Sequence, residues 1–127
     1  MRILIAEDDF ATRRFLLNLL KGYGQCDLTV DGLETVEAFM LAHKENEPYD
    51  LVCLDIMMPK VDGSEALRAI REIEKDRKVK EGVKVIIISA LDEKEIVTDS
   101  FSQGTVAYAV KPLNTEKFLS VVEKFLY

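Results

Sequence analysis

Four places in the sequence set a reactive side chain directly after an apolar run. Glu7-Asp8-Asp9 follows Ile3-Leu4-Ile5-Ala6, Asp55 follows Leu51-Val52-Cys53-Leu54, Ser89 follows Val85-Ile86-Ile87-Ile88, and Lys111 follows the stretch from Val106 to Val110. Brought together, these groups offer carboxylates, a hydroxyl and an ammonium. Three close carboxylates repel one another, and without a counter-charge one of them stays protonated. A hard divalent cation relieves the repulsion, and Mg²⁺ suits carboxylate oxygens that leave room for water and a phosphate. Such a set supports phosphoryl transfer, with Asp55 as a carboxylate nucleophile. Acids after strands also serve simply as helix N-caps, where their charge suits the helix dipole. That plainer role is preferred for Asp9, whereas Glu7, Asp8 and Asp55 are assigned to the chemistry because four strand ends agree.

The chemistry requires elements that end at one place, and apolar runs do alternate with amphipathic stretches. Ile3–Ala6 reads as a first strand, followed by a helix marked by Phe15, Leu16, Leu19 and Leu20 and stopped by Gly22 and Gly24. Asp27–Val30 is a second strand, Asp31-Gly32 a turn, and Leu33, Val36 and Met40 mark a second helix that ends before Pro48. Leu51–Leu54 is a third strand, Pro59 and Gly63 bracket a loop, and Leu67, Ile70 and Ile73 mark a third helix. Val85–Ile88 is a fourth strand, and Ile96, Val97 and Phe101 mark a fourth helix capped by Gly104. Val106–Val110 is a fifth strand. Asn114 opens a last helix, with Leu113 and Phe118 placed to form a hydrophobic staple.

The alternation predicts an α/β fold, (βα)₅, with one doubly wound parallel sheet. Its inner strands are continuous apolar runs, as expected where helices cover both faces. Right-handed crossovers favour the flavodoxin-like strand order 2-1-3-4-5, whose ligands bind beyond the carboxyl ends of the strands. In that order strands 1, 3, 4 and 5 are consecutive neighbours. With strands about 4.8 Å apart, Asp8 and Asp55 face each other at roughly that distance, and Lys111 reaches across from about 10 Å.

Composition sets the outer bounds. The chain has 127 residues, 48% of them hydrophobic and 31% charged, which fits one domain over 1–127. A domain of that size buries about two-thirds of the surface its unfolded chain exposes, so it folds without disulfides or a structural metal. Seventeen Lys and Arg against 23 Asp and Glu leave a net charge of −6, which argues against direct nucleic-acid binding. No apolar run approaches the roughly 18 residues of a membrane span, and the short apolar N-terminus before Glu7-Asp8-Asp9 does not read as a signal peptide. Cys26 and Cys53 read as buried free thiols, which suits the cytoplasm. The single His43 sits in a polar segment, so His-based metal sites and Ser-His triads are not expected. The basic stretch from Lys75 to Lys84 is interleaved with acids and reads as a solvated loop.

Over its whole length the chain resembles the response-regulator receiver domains, the CheY-like family. The segments that carry the resemblance are Ile3–Asp8, Leu51–Pro59, Asp62-Gly63, Ile86–Ala90 and Tyr108–Pro112. The resemblance implies that Asp55 is the phosphoacceptor, that Asp8 is a direct Mg²⁺ ligand, and that Glu7 acts through water. The backbone carbonyl of Met57 would complete the protein ligands. Lys111 would pair with phosphoryl oxygens, Ser89 would hydrogen-bond one of them, and Tyr108 would move with Ser89 as part of the switch. Lys111-Pro112 is similar to the family's cis peptide, which aims the lysine. Glu7 stands where the family more often has Asp. Met57 and Leu91, two residues after the acceptor and two after the hydroxyl, are apolar where fast-cycling members carry an amide or acid, so the aspartyl phosphate is expected to be long-lived.

The implied function is that of a stand-alone signalling receiver. A sensor histidine kinase or a histidine phosphotransfer protein would phosphorylate Asp55, and the face of the fourth helix, fifth strand and fifth helix would then bind a downstream protein target. It would catalyse only its own phosphorylation and slow dephosphorylation, with no membrane partner. Two other classes share parts of the pattern. A flavodoxin-like cofactor carrier needs hydroxyls and amides after strand 1 to cradle a phosphate, where this chain has Glu7-Asp8-Asp9. A phosphohydrolase working through an aspartyl phosphate needs an acid two residues after the nucleophile, where this chain has Met57.

Overall fold

In the computed structural model, successive side chains of each central strand feed two different cores. The structure describes residues 1–90 and 106–126. From β1 (Arg2–Ala6), β3 (Leu51–Asp55) and β4 (Lys84–Ser89), the residues Leu4, Ala6, Val52, Leu54, Val85 and Ile87 join one buried cluster with Phe39, Leu67 and Ile70. The alternate residues Ile3, Ile5, Leu51, Cys53, Ile86 and Ile88 join another with Leu16, Leu20, Phe118 and Val122. A strand has a side-chain period of two, so a strand covered on both faces has no position left for a polar residue. That is why these runs are apolar throughout and why the first polar residue marks the sheet edge.

The sheet is parallel, in the order β2-β1-β3-β4-β5. With β2 (Gln25–Thr29) and β5 (Val106–Val110) at its edges, α1 (Phe10–Leu20) and α4 (Thr115–Leu126) supply the Leu16, Leu20, Phe118 and Val122 side of the core. The opposite side is covered by α2 (Gly32–Lys44) and α3 (Gly63–Asp76). The fold class and strand order agree with the sequence expectation. The fourth helix expected around Ile96, Val97 and Phe101, together with Gly104 and Leu91, lies outside the described residues. The last helix, α4, is the fifth of the sequence pattern and opens at Asn114, whose Oδ1 accepts from Lys117 N at 3.1 Å.

Two elements differ in detail from the sequence pattern. β2 starts at Gln25 and ends at Thr29, earlier at both ends than the expected Asp27–Val30. Its early start is set by its neighbour: Arg2 pairs with Gln25, and Gln25 N donates to Met1 O at 2.9 Å. In α2 the buried side chains are Thr35, Phe39 and Ala42, Val36 and Met40 are partly buried, and Leu33 is exposed. The basic stretch after α3 is mostly exposed, but it is anchored from within the helix. Buried Glu74 accepts from Val83 N at 2.6 Å and from Arg71 Nη1 at 2.8 Å, and the same nitrogen donates to Val83 O at 3.0 Å. This ion pair holds the chain where it enters β4.

Three helices begin on an aspartate that turns the chain out of a strand or loop. Asp9, Asp31 and Asp62 accept from the amides of Thr12, Glu34 and Glu65 at 2.8, 2.8 and 2.9 Å. Asp9 is therefore the N-cap that the sequence suggests. Hydrogen bonds from Thr12 hold the Asp9 carboxyl below its ordinary range, and the Glu34 amide does the same for Asp31. A carboxylate whose folded value is depressed contributes stability above its unfolded value, and that contribution is lost as the pH falls through the folded value.

Gly32, in the first turn of α2, sits against the loop that follows β3. A Cβ there would lie 1.7 Å from the Val61 carbonyl oxygen and 2.5 Å from its carbon. Gly32→Ala gains about 1 kcal/mol of helix propensity. The obstructing atoms are backbone, so the loop itself must move, and overpacking of this kind costs roughly 1–3 kcal/mol. We expect Gly32→Ala to lower the urea midpoint; an unchanged or raised midpoint would show that the loop yields freely.

Candidate functional site

The carboxyl ends of β1, β3, β4 and β5 bring the expected groups together at one edge of the sheet. Each is delivered by the first residue that escapes the two-sided core. Glu7 follows β1 and is fully buried, Asp55 closes β3 at 2% exposure, and Ser89 closes β4 at 2%. Asp8 is exposed. Oxygens of Glu7, Asp8 and Asp55 all lie within 4.8 Å of one another. The spacing expected from adjacent strands is met.

Lys111 arrives from β5. Its Nζ is 3.2 Å from Glu7 Oε1 and 3.5 Å from Asp55 Oδ2. The backbone N–H of Lys111 donates to Ser89 O at 2.7 Å, which ties the end of β5 to that of β4. The Lys111-Pro112 peptide is cis, as the resemblance implied. Asp55 Oδ1 accepts from Met57 N at 3.2 Å, so both oxygens of this carboxylate are engaged. Met57 itself is 58% exposed at the mouth of the site. Tyr108 lies on edge strand β5, 36% exposed.

The charges are visibly out of balance. Burial, followed by the adjacent Glu7 carboxylate, pushes Asp55 up to about 8, against opposing pulls from Lys111 and the Met57 amide. Partial burial would lower the Lys111 ammonium, but the Asp55 and Glu7 carboxylates outweigh it and hold it above its ordinary value. One lysine does not neutralise the cluster. Among the described residues the buried Glu7 Oε1 has no well-formed hydrogen bond, and its close partner is the Lys111 ammonium at 3.2 Å. A buried carboxylate oxygen left unbonded is costly, and here it points to a further cation. The donor set is hard oxygen, partly open to water through Asp8, and it fits a small divalent ion.

Backbone geometry fixes the loop that carries the acidic pair. Glu7 N donates to Thr29 O at 3.1 Å, and Asp9 N donates to Glu7 Oε2 at 3.1 Å. Arg13 Nη1 donates to the carbonyls of Glu7 at 3.0 Å and Asp8 at 3.3 Å. On the far wall, the loop after β3 is tied to the start of α2: Lys60 Nζ lies 3.5 Å from Asp31 Oδ2, and Gly32 N donates to Pro59 O at 3.5 Å. Sequence reasoning missed Arg13, Lys60 and Asp31 as neighbours of the site. Arg13 could have been found from its place one turn inside a helix whose N-cap follows the acids. Lys60 and Asp31 come from distant segments and carry no local signal. Carboxylates occupy the end of β1, where a flavodoxin-like carrier would need hydroxyls and amides.

Comparison with known proteins agrees with this geometry. The family model "Response regulator receiver domain" matches residues 3–123. The chain is 37% identical over 128 residues to the chemotaxis protein CheY of Treponema pallidum, covering 98% of this chain and 82% of that protein. It is 31% identical over 127 residues to the chemotaxis protein CheY of Bacillus subtilis, covering 98% and 97%. Among solved structures, a chain of the CheX-CheY-BeF3-Mg²⁺ complex from Borrelia burgdorferi matches with a TM-score of 0.82 at 32% identity, over 100% of this chain and 90% of that one.

The repulsion within the cluster makes a two-sided test. In metal-free buffer Asp8→Ala should be as stable as the parent or more so, because one of three crowded charges is gone. Saturating Mg²⁺ should stabilise the parent by about 2.7 kcal/mol at a hundred times its dissociation constant, and should leave Asp8→Ala nearly unmoved. Thermal unfolding with and without Mg²⁺ measures both, and equal Mg²⁺ responses in the two proteins would remove Asp8 from the metal site.

Proposed function

The chain belongs to the response-regulator receiver family, whose members switch on phosphorylation, and from that premise we propose that Asp55 is its phosphoacceptor. The observation that carries the assignment is the convergence of Glu7, Asp8 and Asp55 within 4.8 Å, with Lys111 3.5 Å from Asp55. An Asp55 oxygen forms a bond to phosphorus as the bond from phosphorus to the donor breaks, and the donor departs with that electron pair. Lys111, freed from Asp55 by the new acyl phosphate, pairs with phosphoryl oxygens. Asp8, Asp55 and the Met57 carbonyl, with Glu7 acting through water, would hold a Mg²⁺ ion, which when bound would supply positive charge to the transferring group. The Borrelia relative was solved with BeF3 and Mg²⁺, an anion and a hard cation that such a site accepts.

The switch follows from added charge. A phosphoryl group brings about −1.5 to −2 units to a buried sheet edge. Ser89 is a buried hydroxyl on the neighbouring strand end, and it is a donor available to the phosphoryl oxygens. Its movement would draw Tyr108 inward from the edge strand and alter the face of β5, α4 and the segment between β4 and β5. We assign the phosphate source to a sensor histidine kinase or histidine phosphotransfer protein, and the altered face to a downstream protein target. The chain would catalyse only its own phosphorylation and slow dephosphorylation. Among the described residues no helix is long and apolar enough to cross a membrane. The unpaired thiols of Cys26 and Cys53 suit the cytoplasm.

Two experiments follow. Intact mass after incubation with Mg²⁺ and a small acyl phosphate should show one added phosphoryl group, none in Asp55→Asn, and one in Ser89→Ala. An adduct that persists in Asp55→Asn would mean another nucleophile. The lifetime of the adduct tests Met57. Hydrolysis needs a water held in line opposite Asp55, and an exposed thioether offers that water only a weak acceptor. Met57→Asn should therefore shorten the half-life measured after the donor is removed; an unchanged half-life would leave Met57 without a part in it.

A further inference from the structure

Arg13 touches the site without taking part in the chemistry above. Its Nη1 bridges the carbonyls of Glu7 and Asp8, at 3.0 and 3.3 Å. Its guanidinium lies over the Phe10 ring, 5.5 Å from the centroid. Its backbone N–H donates to Asp9 O at 2.9 Å, so the residue is fixed by the first turn of α1 from which it folds back. On charge alone a guanidinium is a poor neighbour for a dication, since it repels the ion that the carboxylates attract. Its contribution must be sought in what it bonds. The two carbonyls belong to the two residues whose carboxylates are forced together with Asp55, and those carboxylates repel one another.

We propose that Arg13 is a positioning residue for divalent-cation binding, holding the backbone of Glu7 and Asp8 so that their carboxylates stay converged against their own repulsion. The proposal rests on the assignment of Glu7, Asp8 and Asp55 to a Mg²⁺ site. The loop is closed on its other sides by Glu7 N on Thr29 O and Asp9 N on Glu7 Oε2. Removing the guanidinium leaves the Glu7 and Asp8 carbonyls without this donor. The acids can then spread, and the cation must gather them again as it binds.

The test is a Mg²⁺ titration of the full chain, followed by backbone amide shifts, in the parent, Arg13→Met and Arg13→Lys. Met keeps much of the apolar stem and removes both donor and charge. Lys keeps the charge and a donor but loses the planar fork. Groups that orient metal ligands commonly alter affinity by about tenfold or more when removed. The expected result is Mg²⁺ affinity about tenfold weaker in Arg13→Met, partly recovered in Arg13→Lys, with metal-free shift changes confined to the Glu7–Asp9 loop and its contacts. A residue acting only by charge would give the opposite order, with Arg13→Met binding tightest. Arg13→Met binding as tightly as the parent, or more tightly, overturns the proposal. So does a loss of affinity accompanied by shift changes throughout α1. A parent chain that does not bind Mg²⁺ overturns the metal assignment itself and the role of Arg13 with it, whereas normal parent binding with an unaffected Met variant removes Arg13 alone.

Discussion

Mutual repulsion among Glu7, Asp8 and Asp55 is the constraint around which the rest of the molecule is arranged. Two of the three carboxylates are buried, where charge is expensive. Among the described residues Lys111 answers part of that charge, and Glu7 Oε1 is left without a well-formed hydrogen bond. The free protein therefore holds an incomplete electrostatic arrangement, which a hard cation and a phosphoryl group together complete. Burial, and then the adjacent Glu7, raise the proton affinity of Asp55 for the same reason. A site of this kind is poised because its unliganded form is unsatisfied, and rigid neighbours keep it from relaxing.

The rigidity comes from the sheet. The strands that deliver the acids and Ser89, β1, β3 and β4, lie between packed cores, and all three are hydrogen-bonded on both sides. Strand ends cannot drift when the side chains just before them are locked in this way. The loops add local ties: Arg13 on the acidic pair, Lys60 and Gly32 between the loop after β3 and the start of α2, and Glu74 with Arg71 at the entry to β4. Rigid strands set the spacing between acids, while the loops set the direction in which each acid points.

Much of this was legible in the residue order. Asp55 stood out because an apolar run buried on both faces can end only where the first polar group appears, so strand end and site residue are one signal, and Lys111 stood out at the end of the edge run Val106–Val110. The same logic marked Glu7 and Ser89. Leu33 was misleading: helical periodicity groups it with Val36 and Met40, yet α2 turns Thr35, Phe39 and Ala42 inward, and Thr35 reaches the core because its hydroxyl bonds Asp31 O and Thr29. Glu74 was hidden inside a run of alternating charge, where nothing local distinguishes a buried acid from its solvated neighbours. Its partner Val83 N is nine residues on and meets it only when the chain folds back. Arg13 was hidden for the opposite reason, since it bonds backbone carbonyls, which every sequence has. The carboxylate nucleophile Asp55 and an acidic Mg²⁺ site followed from residue types at the strand ends, whereas the direct or water-mediated part of each acid, the Met57 carbonyl and the roles of Ser89 and Tyr108 came through family resemblance.

The two-sided burial of β3 has a consequence for how such a chain can diversify. Side chains in Leu51–Leu54 alternate between two cores, so inserting or deleting one residue there would exchange their contents and move Asp55 off the edge. The strand acts as a ruler, and lineages descended from this chain can change its letters but not its count. Length variation must instead collect in segments such as the exposed turn between α3 and β4, on the rim remote from the acids, where added residues shift neither core. Divergence in size and divergence in chemistry are thereby assigned to opposite rims of one sheet, and each can proceed without disturbing the other.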